Sequence, residues 1–123
     1  MYFIYFLRSQ ANPAKTYIGY TNNLVRRLDE HNSGQSTYTN RFRPWELRAF
    51  VHADSEEIAQ TVEAYFKNAS GQEKLTKFRQ ENPEHPNPVR GYFESLRAGK
   101  KFGRSSFQVK ANENGIVTFA LCS

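Results

Sequence analysis

Two apolar segments near the N-terminus, separated by a turn, constrain the fold more than any other feature of the sequence. Residues 2–8, YFIYFLR, are rich in aromatic and β-branched side chains and predict a strand that is buried on both faces. Residues 16–20, TYIGY, have the same character, and Asn12-Pro13 between the two segments is a turn signal. The pair therefore predicts an antiparallel β-hairpin at the start of the chain.

A helix is expected directly after this hairpin. Thr21 or Asn22 can cap its first turn, Leu24, Val25 and Leu28 form an apolar stripe, and Gly34 supplies a stop. Arg27 and His31 are four residues apart and so lie on one helix face. That face borders the apolar stripe, which predicts that both side chains lie at the rim of the core. There a guanidinium can clamp a phosphate, and an imidazole can exchange protons near neutral pH.

The middle of the chain predicts a further strand and two helices. Residues 45–52 alternate apolar and polar side chains, with Trp45, Leu47, Ala49 and Val51 on one side, as in a half-buried strand. Asp54 with Glu57 resembles a capping box that opens the next helix. Residues 68–71, NASG, end this helix, and residues 72–80 are expected to form a short one. The element order predicts an α+β fold with a small antiparallel sheet.

The chain changes character after residue 81. Residues 82–123 contain a proline-rich stretch, a helical turn ending at Gly99, and two strands around the hairpin signal Asn114-Gly115. We interpret them as a C-terminal extension of a domain formed by residues 1–81. Cys122 is the single cysteine, which excludes intramolecular disulfides and thiolate-rich zinc sites. The apolar run at the N-terminus is too short to cross a bilayer, so we expect a cytoplasmic protein.

Charge indicates a polyanionic partner. The chain carries 17 Lys and Arg against 12 Asp and Glu, a net charge of +5, which is typical of nucleic-acid-binding domains. Arginines concentrate between residues 26 and 48 and alternate there with Tyr38, Phe42 and Trp45, which favours a phosphate-binding face over simple solvated charge. The arginines of this segment are Arg26, Arg27, Arg41, Arg43 and Arg48.

Five separated features resemble the GIY-YIG nuclease superfamily, in its small stand-alone bacterial branch. They are FIY at 3–5, YIG at 17–19, Arg27, His31 and Glu63. The resemblance covers roughly residues 2–80 and implies a three-stranded antiparallel sheet flanked by helices. It also implies an endonuclease that hydrolyses phosphodiester bonds in DNA with Mg2+ or Mn2+, in repair, recombination or defence.

The resemblance assigns roles by position. Tyr5 and Tyr17 are the paired motif tyrosines, one of them the general base, with Tyr5 favoured and a phenol pKa lowered by nearby cations. Arg27 stabilises the transition state, His31 handles protons near the attacking side, and Glu63 binds the metal. The expected nucleic-acid-binding residues are Arg26, Tyr38, Arg41, Arg43 and Lys67.

Two departures from the family pattern are visible. Phe3 stands where the first motif has glycine, which changes strand packing but leaves the tyrosine hydroxyl in place. Many relatives carry an asparagine after the metal-binding glutamate, and neither Asn68 nor Asn82 has convincing spacing. A non-catalytic nucleic-acid-binding module with the same fold remains the alternative, although binding alone requires neither the tyrosine pair nor Glu63. A zinc protein is disfavoured, because His31, His52 and His85 are scattered.

Overall fold

A five-stranded sheet organises the protein. We describe it from a computed structural model, for residues 1–35, 39–96, 107–111 and 117–121. The strands are β1 (Tyr2–Ser9), β2 (Thr16–Thr21), β3 (Trp45–Ala53), β4 (Phe107–Ala111) and β5 (Val117–Leu121), in the spatial order β2-β1-β3-β5-β4. Both neighbours of β1 run antiparallel to it, whereas β5 runs parallel to β3.

The α+β class is confirmed, but the expected count of three strands is too low. β5 pairs with the outer edge of β3, and β4 pairs with β5, so two strands from the C-terminal segment extend the sheet. An unpaired edge of β3 would expose backbone donors and acceptors, and β5 covers part of that edge. The division of the chain at residue 81 stays a prediction.

Among the described residues, four helices and one 3-10 turn connect the strands. The helices are α1 (Leu24–Ser33), α2 (Glu56–Lys67), α3 (Ala69–Glu81) and α4 (Pro88–Glu94), and the 3-10 turn spans Thr39–Phe42. Side chains cap the first turns at positions slightly after the expected ones: Asn23 accepts from the Arg26 backbone N–H, and Ser55 accepts from that of Ile58. The expected stop at Gly34 is confirmed by its left-handed φ of 85°.

α3 starts three residues earlier than predicted, because a single residue separates it from α2. Asn68 ends α2, and its side chain also accepts a hydrogen bond from the Gly71 backbone N–H in the first turn of α3. The backbone of Gly71 lies against the last turn of α2, so a Cβ there would stand 2.5 Å from the Phe66 Cα. The turn-like sequence 68–71 therefore makes a tight corner between two helices.

Both faces of the sheet are covered, and a bulge in β3 decides which residues cover each face. Phe6 pairs with Ala49 and Leu7 pairs with Leu47, so Arg48 is the extra residue. The prediction that all four apolar residues of β3 lie on one side of the strand is therefore wrong. Ala49 packs in the larger core with α2 and α4, whereas Trp45 packs with Tyr5 and Leu7 on the opposite face, beneath α1.

The helix α1 covers the second face with a narrower stripe than predicted. Leu24 and Leu28 pack against the cluster of Tyr5, Leu7 and Trp45. Val25 is 80% exposed and does not belong to the stripe. Tyr38, Gly99, Cys122 and the turn Asn114-Gly115 lie outside the described residues. Within the described part of the chain, no helix has both the length and the apolar character that crossing a membrane requires.

Candidate active site

Tyr5 lies at the centre of the second sheet face. It pairs with Gly19 on one side and Phe50 on the other, and 1% of it is exposed. Its ring leans across β2, so that a Cβ built on Gly19 would contact the Tyr5 hydroxyl and stand 2.5 Å from Cζ. The glycine of the YIG sequence therefore makes room for the phenol of the other tyrosine motif.

We expect Gly19→Ala to displace the Tyr5 ring and to lower the free energy of unfolding by about 1–3 kcal/mol, as in other overpacked sites. Urea denaturation measures this loss. In a Tyr5→Ala background the same substitution should lower the free energy of unfolding much less, because the ring that the new Cβ contacts is absent. An equal cost in both backgrounds would show that the glycine serves another purpose.

A chain of hydrogen bonds runs through Tyr5. The Arg27 Nε lies 3.4 Å from the Tyr5 hydroxyl oxygen, which in turn lies 2.9 Å from the His31 Nε2. The His31 Nδ1 lies 2.7 Å from the Thr39 Oγ1. Arginine can only donate, so the Tyr5 oxygen accepts from it, and its own proton is directed to His31 Nε2. His31 then carries its proton on Nδ1 and donates it to Thr39.

His31 is fully buried, at 0% exposure, and not at the rim of the core as the helix pattern predicted. The 3-10 turn that follows α1 covers it. Burial, followed by the positive charge of Arg27, lowers the pKa of His31 to about 4, so the imidazole is neutral at neutral pH. Burial also raises the pKa of Tyr5 to about 12, against the opposing effect of Arg27. The expected lowering of the Tyr5 pKa by cations is therefore not found, because burial outweighs it.

The buried imidazole predicts a loss of stability in acid. His31 titrates near 6.5 when unfolded and near 4 when folded, so the unfolded chain binds more protons between these values. Stability should fall as pH drops through that window, by up to about 3 kcal/mol from this residue. Denaturant unfolding at several pH values measures it. His31→Gln should show a flatter dependence over the window, and equal slopes in both proteins would contradict the assignment.

A second layer of contacts fixes the position of His31, and sequence reasoning missed it. The Thr39 carbonyl accepts a hydrogen bond from the Trp45 indole at 2.8 Å. The Asn32 side chain bonds to the Trp45 backbone in both directions, at 2.6 and 3.2 Å. Trp45 thus holds the turn that carries Thr39 against the helix that carries His31. The spacing of Asn32 and Thr39 in the sequence gives no signal of these contacts, because they depend on how the turn folds back.

Tyr17 adjoins the same cluster from β2. Its ring centroid lies 5.0 Å from that of His31 and 6.2 Å from that of Tyr5, with which it is stacked. The Lys67 ammonium lies 5.4 Å from the Tyr17 ring centroid, within reach of a cation–π interaction. Lys67 also forms an ion pair with Glu63 at 3.1 Å. Glu63 is therefore linked to Tyr17 through Lys67, and its negative charge contributes to the raised pKa of Tyr5.

The donor set at Glu63 is compatible with one hard divalent cation. A single carboxylate with water in the remaining positions is a usual arrangement for Mg2+. The described residues hold no group of three or more His, Cys, Asp or Glu side chains suited to a metal, so a site built entirely from protein ligands is not found among them. The Lys67 ammonium pairs with the Glu63 Oε1, so a cation at Glu63 would share the carboxylate with Lys67 or displace it.

The arginines expected to bind nucleic acid are only partly brought together. Arg26 is exposed and pairs with Glu30 at 3.5 Å, and Arg27 pairs with the same carboxylate at 2.7 Å. Arg41 and Arg43 are exposed around the 3-10 turn, where Arg41 lies over the Phe42 ring. Tyr38 is outside the described residues.

Arg48 does not join the basic group of α1 and the 3-10 turn. It pairs with Glu46 at 3.0 Å and donates to the Pro86 carbonyl at 2.9 Å. Both partners lie outside α1 and the 3-10 turn, Glu46 on β3 and Pro86 just before α4. The segment of interleaved arginines is therefore divided between two sides of the molecule.

The two departures from the family pattern have simple structural explanations. Phe3 pairs with Thr21 and His52 across the sheet, and its ring contacts Phe50 and His52 rather than the hydrogen-bond chain of Tyr5. Asn68 caps α3, and the Asn82 amide donates to the Phe78 carbonyl at the end of that helix. Both asparagine side chains therefore form hydrogen bonds at the ends of α3.

Comparison with known proteins gives consistent matches. Residues 1–77 match the family model described as the GIY-YIG catalytic domain. A UPF0213 protein of Pediococcus pentosaceus is 37% identical over 82 residues, which cover 66% of this chain and 83% of that protein. A UPF0213 protein of Streptococcus agalactiae serotype V is 38% identical over 69 residues, 55% of this chain and 78% of that protein.

Another relative matches a shorter part of the chain. The structure-specific endonuclease subunit SLX1 of Mycosarcoma maydis is 46% identical over 61 residues, 47% of this chain. The match spans 9% of the length of that much larger protein.

Proposed function

Since the chain belongs to the GIY-YIG family and carries its nuclease domain, we propose that it is a divalent-metal-dependent endonuclease that hydrolyses phosphodiester bonds in DNA. The observation that carries the proposal is the convergence of side chains from β1, β2, α1 and α2. Tyr5 contacts Arg27 and His31 directly, and Tyr17 and Lys67 connect this cluster to Glu63. A cytoplasmic location is part of the same proposal.

Arg27 is placed in the proposal to stabilise the transition state. Attack on a phosphodiester increases the negative charge on the non-bridging oxygens, and a guanidinium held at that point supplies electrostatic stabilisation. Glu30 and the Tyr5 hydroxyl hold Arg27 from two sides. This support fixes the guanidinium before the substrate arrives, so little reorganisation is needed during the reaction.

Tyr5 and His31 are proposed to take up the proton of the attacking water. As the water oxygen bonds to phosphorus, its proton passes to the Tyr5 oxygen, the phenol proton passes to His31 Nε2, and the bond to the leaving oxygen breaks. In the resting protein this transfer is unfavourable, because the pKa values of Tyr5 and His31 are about 12 and about 4. The negative charge of a bound phosphodiester favours the imidazolium and reduces that cost. Tyr17 positions the water or the phosphate.

Glu63 is proposed to hold Mg2+ or Mn2+, with water as the other ligands. When bound, the metal supplies positive charge for the phosphate oxygens and the leaving group. Lys67, which pairs with Glu63 at 3.1 Å, is proposed to contact a phosphate of the substrate. Arg26, Arg41 and Arg43 provide further exposed positive charge, and with Tyr38 they complete the proposed nucleic-acid-binding residues.

The alternative is a nucleic-acid-binding module without catalysis. A binding function requires the basic residues but not the buried chain from Arg27 to Thr39, whose members bury polar groups at a cost that only precise hydrogen bonding offsets. That buried chain favours the enzyme.

Cleavage of a substrate panel tests the proposal. Nicked, flapped, branched, single-stranded and duplex DNA labelled at one end should be offered with Mg2+, with Mn2+ and with a chelator. We expect cleavage of at least one substrate with metal and none with the chelator. Binding without cleavage on every substrate and with both metals would favour the module instead.

A further inference from the structure

A groove begins at Tyr17 and runs away from the candidate active site. It consists of two hollows, of about 400 and about 390 Å³, that share the residues Thr16, Tyr17, Ile18 and Gln72. Lys67 lines the end beside the active site. The far end lies between the β1–β2 hairpin, α3 and the start of α4, and is lined by Arg8, Arg48 and Arg79.

The charge of this groove is one-sided. Apart from Tyr17, each ionisable side chain among its described lining residues is a cation. Two carboxylates pair with three of these cations from outside the lining: Glu46 binds Arg8 at 2.8 Å and Arg48 at 3.0 Å, and Glu63 binds Lys67. Arg79 is exposed and has no ion-pair partner among the residues that the structure describes. The groove therefore keeps a surplus of positive charge.

One face of α3 forms a wall of the groove. Gln72, Leu75, Thr76 and Arg79 line it and follow one another at intervals that place them on a single helix face. Phe6, Ile18 and Val89 add apolar surface at the bottom of the groove. Lys74 and Lys77, on other faces of the helix, are exposed and do not line it. Apolar surface bordered by cations suits a nucleic-acid strand, because its phosphates are charged and its sugars and base faces are apolar.

We propose that this groove binds the phosphodiester backbone of the substrate strand next to the scissile phosphate, with Arg79 contacting a phosphate directly. The inference rests on the proposed function for its choice of a nucleic acid. It places the strand from Tyr17 and Lys67 towards Arg79, so the protein contacts several nucleotides on one side of the cleaved bond. Such contacts position the substrate without reading its sequence.

Salt dependence of binding tests the groove without requiring cleavage. A fluorescein-labelled single-stranded oligonucleotide is titrated with protein in a chelator at several NaCl concentrations, with fluorescence anisotropy as the readout. Arg79→Ala should reduce the slope of log Kd against log salt by about 0.7, the effect of losing one phosphate contact on a single strand. Lys74→Ala, which removes a charge from another face of α3, should keep the wild-type slope, and Arg79→Lys should restore most of it.

Three outcomes would overturn the proposal. These are a wild-type slope in Arg79→Ala, an equal reduction in Lys74→Ala, and displacement of the oligonucleotide by poly-glutamate as effectively as by unlabelled DNA of equal charge. The result is separable from the endonuclease proposal. A protein that cuts DNA while Arg79→Ala keeps its slope refutes the groove alone, and one with an Arg79-dependent slope that never cuts refutes the endonuclease alone.

Discussion

Glu63→Gln is expected to reduce DNA cleavage by about 10³-fold or more while leaving DNA affinity in a chelator close to that of the wild type. The substitution keeps the size of the side chain but removes the charge that attracts a divalent cation, and metal electrostatics are worth several kcal/mol of transition-state stabilisation. Single-turnover cleavage at saturating protein measures the rate, and anisotropy in the chelator measures the affinity.

Glu57→Gln is the matched control for this prediction. Glu57 is an exposed carboxylate on the first turn of the same helix, and none of the described ion pairs includes it. Its loss should leave cleavage unchanged. Equal rates in Glu63→Gln and the wild type would remove Glu63 from the metal site, whereas a loss of affinity as large as the loss of rate would assign it to substrate binding.

Arg27→Ala is expected to lower kcat by about 10²–10³-fold, the usual effect of removing one preorganised donor from a transition state. KM should change much less, because the guanidinium is proposed to act mainly on charge that develops during the reaction. Steady-state cleavage over a range of substrate concentrations separates the two parameters.

The neighbouring Arg26 gives the informative comparison. It pairs with the same Glu30 but is further out in solvent, with a side chain 62% exposed against 32% for Arg27. Arg26→Ala should therefore raise KM and have little effect on kcat. If the two variants behaved alike, Arg27 would be one member of a general phosphate-binding surface and its proposed role would be lost.

Local patterns predicted the elements that depend on local chemistry. The hairpin of β1 and β2, the helix α1 and its stop at Gly34 all follow from side chains close in sequence. Pairing of β5 with β3 joins residues more than 60 positions apart, and no local pattern specifies it. The bulge at Arg48 could not be predicted for another reason. A strand with a bulge contains the same residue types as a regular strand, and only the pairing with the neighbouring strand differs.

The candidate site also contains some features that local patterns predict and others that depend on distant contacts. Helix periodicity places Arg27 and His31 together, and this requires no knowledge of the fold. The burial of His31 depends on Thr39 and the turn around it, and the approach of Glu63 to Tyr17 depends on how α2 packs beside β2. The family resemblance supplied His31, Glu63 and Tyr17 but not Thr39, and their chemical roles stay predictions until the variants are measured.

The extra residue in β3 makes the length of this segment as important as its side chains. Trp45 and Leu47 lie with Tyr5, and Ala49 and Val51 lie with the larger core, only because Arg48 is inserted between the two pairs. A chain one residue shorter here would rotate Trp45 out of the layer in which it supports the Thr39 turn. In an alignment of related chains, a gap at this point would therefore mark a protein whose imidazole is held in some other way.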